Sequence, residues 1–96
     1  MDTFGAFGPS ICTDVDVEKL QVQTLYRGKL RQDYSIHNLV FSPRQIVSML
    51  SQDMTLFPGD LIACGTGGGV GPIKPGYTVE ICITGLDSLI NTMAVE

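Results

Sequence analysis

The chain has no tryptophan and a single histidine. It also has no apolar run near the ~18–20 residues that a membrane-spanning helix needs. No cationic leader followed by an apolar core marks it for secretion, so a cytoplasmic protein that meets no membrane is expected. Basic residues are scarce, six Lys and Arg against ten Asp and Glu, for a net charge of −4. Those six (Lys19, Arg27, Lys29, Arg31, Arg44, Lys74) are scattered, three of them around one turn. A phosphate-binding surface needs clustered Lys and Arg, which excludes nucleic acid as the expected partner. Cysteine is also scarce and odd in number: Cys12, Cys64 and Cys82 form no C-x-x-C pair, and each sits in an apolar run. They read as buried free thiols of a reducing compartment. Zinc needs four ligands, and with only His37 to add, a local Cys/His site is not expected.

What is present is an ordinary globular composition, 44% hydrophobic and 17% charged, with 11 glycines. Disordered chains are poorer in Val, Ile and Leu. Ninety-six residues make at most one domain, and a chain this short buries only about 60% of its unfolded surface. Residues 2–10 are rich in glycine and aromatics and read as an extended loop. Leu20 to Tyr26 alternates in polarity and predicts a strand, with Leu30 to Tyr34 its return partner across Arg27-Gly28-Lys29. Gly28 offers the positive φ that a tight hairpin needs. Ser42-Pro43-Arg44-Gln45 is a capping box with proline at the first helical position. Ile46, Met49, Leu50 and Met54 follow at helical spacing, predicting an amphipathic helix of about three turns. After the Pro58-Gly59-Asp60 turn, Leu61–Cys64 reads as a short buried strand. Pro75-Gly76 turns into a strand from Tyr77 to Thr84, with Tyr77, Val79, Ile81 and Ile83 on one face. Ser88 to Ala94 reads as the last strand. The expected fold class is mainly β with one α-helix.

Chemistry is hinted at most strongly by Gly65-Thr66-Gly67-Gly68-Gly69-Val70-Gly71. Such glycines let the backbone approach a ligand and expose its amides. The register excludes a nucleotide loop: G-x-G-x-x-G counted from Gly65 meets Val70, and counted from Gly67 meets Pro72. A P-loop would need Ser or Thr after Lys74, where Pro75 stands. A plain strand connection is one reading. A loop receiving an anion, with the Thr66 hydroxyl and nearby amides holding a carboxylate, is the preferred one. His37 has the side chain of a general base, but no acid is placed by sequence to orient it, so a loop histidine is the simpler reading. Asp2, Asp14, Asp16 and Glu18, all in the first fifth of the chain, invite a hard divalent cation, although solvated charge is the usual content of the polar loop that holds the last three.

Taken in order, these segments resemble one family. Asp2-Thr3-Phe4 with Gly8-Pro9 matches its D-T-F-x-x-x-G-P segment, and Arg27-Gly28-Lys29-Leu30-Arg31-Gln32-Asp33 resembles N-G-E-x-R-Q-D. Met54-Thr55-Leu56-Phe57-Pro58-Gly59-Asp60 matches M-T-L-x-P-G-D, and Gly65-Thr66 with Gly69-Val70-Gly71 resembles G-T-P-x-G-V-G. The resemblance is to the fumarylacetoacetate hydrolase family and covers essentially the whole chain, residues 1–96, as the C-terminal segment of its catalytic domain. It implies part of a β-roll, a Mg²⁺ or Mn²⁺ cofactor, and a 2-oxo or β-diketo acid substrate. A divalent ion chelating keto and carboxylate oxygens stabilises the enolate formed as a C–C bond breaks or a proton moves. In the family the threonine of the G-T motif holds the substrate carboxylate. That role carries over to Thr66, with Gly65 and Gly67 beside it as candidate substrate-binding residues.

The departures from the pattern set further expectations. The family's Glu-x-Glu and Asp metal ligands stand upstream of the D-T-F segment, so no metal ligand is assigned within this sequence. Catalytic residues remain unknown, because the family's His and Glu belong to an upstream lid and His37 inherits no role. Gly67-Gly68 replaces the usual Pro-x. The segment alone is expected to be inactive and to need a partner, either further copies of itself or the missing N-terminal half. Two alternatives stay open: a non-catalytic β-module for assembly, and a small-acid binding protein using the Thr66 loop.

Overall fold

In the computed structural model, which describes residues 5–94, the chain first doubles back at Arg27-Gly28 between β1 (Gln21–Tyr26) and β2 (Lys29–Ser35). Both turn residues lie in the left-handed region, Arg27 at φ 56° and Gly28 at φ 75°. That is the geometry of a two-residue type I′ turn, whose twist matches that of the strands it joins. Glycine adopts this conformation freely and arginine does not. Arg27 is held there by tertiary contacts: its guanidinium lies 4.3 Å from the Tyr77 ring centroid and its amide donates to the Thr78 carbonyl at 3.2 Å.

Strand β3 (Thr78–Ile83) pairs with the other edge of β1, and β4 (Leu89–Thr92) pairs with β3. The result is one antiparallel sheet in the order β2-β1-β3-β4. The last strand is shorter than its apolar pattern suggested. Main-chain bonds from Gly76 to Met93 (2.7 Å) and from Met93 to Tyr77 (3.1 Å) nevertheless prolong the pairing. Between β1 and β2 the register slips: Thr24 faces Gln32, and Leu25 faces Leu30. Arg31 is therefore the extra residue of a β-bulge, the local irregularity that re-aims side chains.

Helix α1 (Pro43–Asp53) begins as predicted. The Ser42 hydroxyl accepts from the Gln45 amide at 3.2 Å, and the Gln45 side chain accepts from the Ser42 amide at 2.8 Å. Its apolar stripe is less covered than an amphipathic pattern implies. Ile46 and Leu50 are half-buried, whereas Met49 is 43% exposed and no residue of α1 is buried.

Two expectations fail. Leu61–Cys64 is not a buried strand: among the described residues no ladder partner runs beside it, and Leu61 is 69% exposed. An apolar run becomes a strand only where a neighbour takes its main-chain hydrogen bonds. The three cysteines are free thiols, but none is buried, since Cys12 is exposed and Cys64 and Cys82 are intermediate. Their apolar surroundings in sequence found too little core to enter. Among the described residues Val22 is the one buried hydrophobic side chain, opposite Ile83 on β3 and Tyr34 on β2. The architecture is the mainly-β, single-helix fold that the sequence pattern indicated.

Candidate functional site

The glycine segment crosses one face of the sheet, and its glycines are required by what lies beneath them. At Gly69 (φ 96°) a Cβ would stand 2.2 Å from the Arg31 carbonyl oxygen, and at Gly67 it would stand 2.8 Å from the Tyr34 ring. No larger residue lets the backbone come so close. The loop thereby roofs a pocket of about 240 Å³. Its floor is Thr24 and Tyr26 of β1 with Val79 and Ile81 of β3, and its roof includes Thr66, Val70 and Ile73. Arg31 and Gln32, consecutive in β2, both line it. Simple alternation would send them to opposite faces; the bulge at Arg31 brings them together.

Polar contacts tie this roof to the sheet. The Gln32 side-chain amide donates to the Thr66 hydroxyl at 2.8 Å and to the Gly67 carbonyl at 3.3 Å. The Thr24 hydroxyl donates to the side-chain amide oxygen of Gln32 at 2.9 Å. Arg31 donates to the Pro72 carbonyl at 2.9 Å while its guanidinium stacks 4.1 Å from the centroid of Tyr26. Tyr26 in turn accepts from the Lys74 amide at 2.9 Å and meets Tyr77 edge-on at 5.9 Å. The loop is thus fastened along its length by three side chains of the hairpin. A pocket with apolar walls and a few convergent polar groups is the usual form of a small-molecule site.

Of the three residues singled out from sequence, Thr66 lines the pocket, and Gly65 and Gly67 flank it as chain neighbours. Gly65 has a left-handed φ of 97° and open space around it. Sequence reasoning missed Thr24, Arg31 and Gln32. The R-Q pair was visible as a motif, but its placement depended on the bulge and on the register Thr24↔Gln32. His37 sits exposed in a short 3-10 turn (Ile36–Asn38), away from this pocket's lining, its amide donating to the Ser35 hydroxyl. The acidic segment is solvated: Asp14 and Glu18 are exposed, and Asp16 forms a 3.7 Å exposed ion pair with Lys19. Asp2 lies outside the described residues. Among the described residues no three His, Cys, Asp or Glu side chains gather as a metal site would require. A hard divalent cation takes six or more oxygen ligands, so these residues do not by themselves fit a resident Mg²⁺ or Mn²⁺. No helix among the described residues is long and apolar enough to cross a membrane.

Comparison with known proteins gives this pocket a context. A sequence model of the fumarylacetoacetate (FAA) hydrolase C-terminal domain matches residues 1–94. The crystal structure of a 5-carboxymethyl-2-hydroxymuconate delta-isomerase from Mycobacterium smegmatis superposes with a TM-score of 0.89 at 38% identity, covering 93% of this chain and 36% of that one. A maleylpyruvate hydrolase from Sphingobium sp. SYK-6, solved with manganese(II) and pyruvate, gives 0.86 at 32% identity, covering 91% and 34%. A 4-hydroxyphenylacetate degradation bifunctional isomerase/decarboxylase of Salmonella dublin is 40% identical over 81 residues, 84% of this chain and 19% of that protein. The chain spans less than half the length of the curated relatives it matches. With sequence motifs, sheet and glycine loop all in agreement across nearly every residue, the chain belongs to the fumarylacetoacetate hydrolase family.

Proposed function

We propose that this chain supplies the carboxylate-binding part of a metal-dependent enzyme acting on a 2-oxo or β-diketo acid of the kind released by aromatic ring cleavage. The reaction is C–C bond hydrolysis, isomerisation or decarboxylation, and its relatives bear the names hydrolase, isomerase and decarboxylase. One observation carries the reading: Thr66, the residue matching the family's G-T motif, stands on the wall of a pocket whose floor is largely apolar. Its hydroxyl donates to the substrate carboxylate. Val79 and Ile81 keep water from competing, and a hydrogen bond in such low-dielectric surroundings is stronger than one in water. The Mg²⁺ or Mn²⁺ is held outside the described residues, and the manganese and pyruvate bound together in the Sphingobium hydrolase support that pairing of cofactor and substrate class. The share of this chain is to bind and orient the acid.

Thr66→Ala in the complete enzyme tests this. A hydrogen bond to a charged group contributes about 1.5–3 kcal/mol, so affinity should fall roughly ten- to a hundredfold. If ground and transition states use the contact equally, the loss appears in KM and not kcat. Thr66→Ser should restore most of it. An unchanged kcat/KM in Thr66→Ala would reduce the loop to a connection. Pyruvate binding without turnover of any 2-oxo acid would favour a small-acid binding module instead.

A further inference from the structure

We infer that Gln32 is a positioning residue that commits the Thr66 hydroxyl to donate into the pocket, with Thr24 holding Gln32 in orientation. This deepens the proposed function and rests on its reading of Thr66 as the carboxylate ligand. Three contacts fix the direction of every proton. The Gly67 carbonyl can only accept, and it lies 3.3 Å from Gln32 Nε2, so the amino edge of the Gln32 amide must face the loop. The same amino group lies 2.8 Å from Thr66 Oγ, which therefore accepts. The amide oxygen then faces β1, 2.9 Å from Thr24 Oγ, and the Thr24 hydroxyl must donate to it.

A threonine hydroxyl has one proton to give. At Thr66 that proton is not used on Gln32, and among the described residues it meets no other acceptor. The relay runs Thr24 to Gln32 to Thr66 and ends in a donor at the pocket wall. An ionised carboxylate only accepts, so it is the complementary ligand for that proton, and Gln32 already occupies one of the two lone pairs through which Thr66 Oγ could accept from a donor ligand instead. Aligned donors polarise one another, which strengthens the last bond of the series. The register pair Thr24↔Gln32 beside the bulge lets two neighbouring strands build this line.

Gln32→Glu keeps the shape and inverts the polarity. At pH 7 the new carboxylate draws the Thr66 proton to itself and repels the ligand. The probe is pyruvate, titrated calorimetrically into the complete enzyme with Mn²⁺ present and compared with the unmodified enzyme at each pH. Affinity should fall more than about tenfold at pH 7, the worth of one charged hydrogen bond. It should recover as the pH approaches about 4.3, where a glutamate regains its proton and can donate again. Thr24→Val should weaken binding a few-fold, and Thr24→Ser should restore it. A Gln32→Glu enzyme that binds as the unmodified one, while Thr66→Ala does not, overturns the relay and leaves Thr66 standing. A loss that ignores pH marks Gln32 as packing only and also overturns it. Unchanged affinity in Thr66→Ala removes the carboxylate reading and the relay together. If Gln32→Glu fails to fold, the Thr24 pair decides: equal affinity for Val and Ser overturns the relay.

Discussion

Gly69 shows how much one residue decides here. Its φ of 96° is a conformation that side-chain-bearing residues rarely adopt, and the Arg31 carbonyl leaves no room for a Cβ. Strain of that kind costs about 1–3 kcal/mol per residue. Gly69→Ala should therefore lower the melting temperature and weaken keto-acid binding together, because the roof that carries Thr66 must lift. Gly68→Ala is the control. A Cβ there would meet nothing within 4 Å, and its φ is ordinary, so thermal melts should move by less than about 0.5 kcal/mol. The acidic residues belong to this scale too. Asp14, Asp16 and Glu18 do not converge on a common point as ligands, and the isolated 96-residue chain should bind Mn²⁺ no more tightly than about millimolar by calorimetry. Micromolar binding would return those three residues to consideration.

Among the elements, α1 and the hairpin contrast in how they are stabilised. Helix α1 carries its own start signal, and both bonds of the capping box are formed. Ser42→Ala should cost about 1 kcal/mol of stability, read as a lower melting temperature with reduced helical circular dichroism. Ser48→Ala, at an exposed position within the same helix, should change little. The hairpin instead depends on distant residues. Arg27 holds a left-handed φ against the Tyr77 ring, and Tyr26 is flanked by Arg31 and Tyr77. The helix was legible because its caps are local. The bulge was not, because it answers to a loop some 40 positions further along, where Pro72 receives the Arg31 side chain.

At the scale of the molecule, the described residues hold too little core for a free-standing domain. Val22 alone is buried, and the radius of gyration is 14.7 Å, against about 13 Å for a compact domain of 100 residues. The bare surface is not the face of Ile81 and Ile83. Those side chains are half-buried, and Ile81 lies beneath the glycine loop. The exposure falls instead on Phe41, Val47 and Met49 of the helical region, on Met54, Phe57 and Leu61 after it, and on Ile90 at the β4 edge. Apolar patches and open strand edges recruit other chains. The 96-residue chain should therefore run in light scattering as a dimer or larger species, or melt without cooperativity when kept dilute. A sharp monomer with a single cooperative melt would contradict this.

Local chemistry in the sequence settled much of this protein. The capping box set the start of α1, Gly28 the hairpin, period-two alternation the strands, and the ordered motifs the family. Each is a short-range signal, carried by residues within a few positions of one another. Tertiary structure alone decided which strand edges met, that Leu61–Cys64 would find no ladder partner among the described residues, and that the cysteines would stay out of the core. It also decided the site. Thr66 could be singled out by motif, but its fastening to Gln32 joins positions 34 residues apart. That contact exists only because a bulge at Arg31 and close approaches at Gly67 and Gly69 bring the loop onto the sheet.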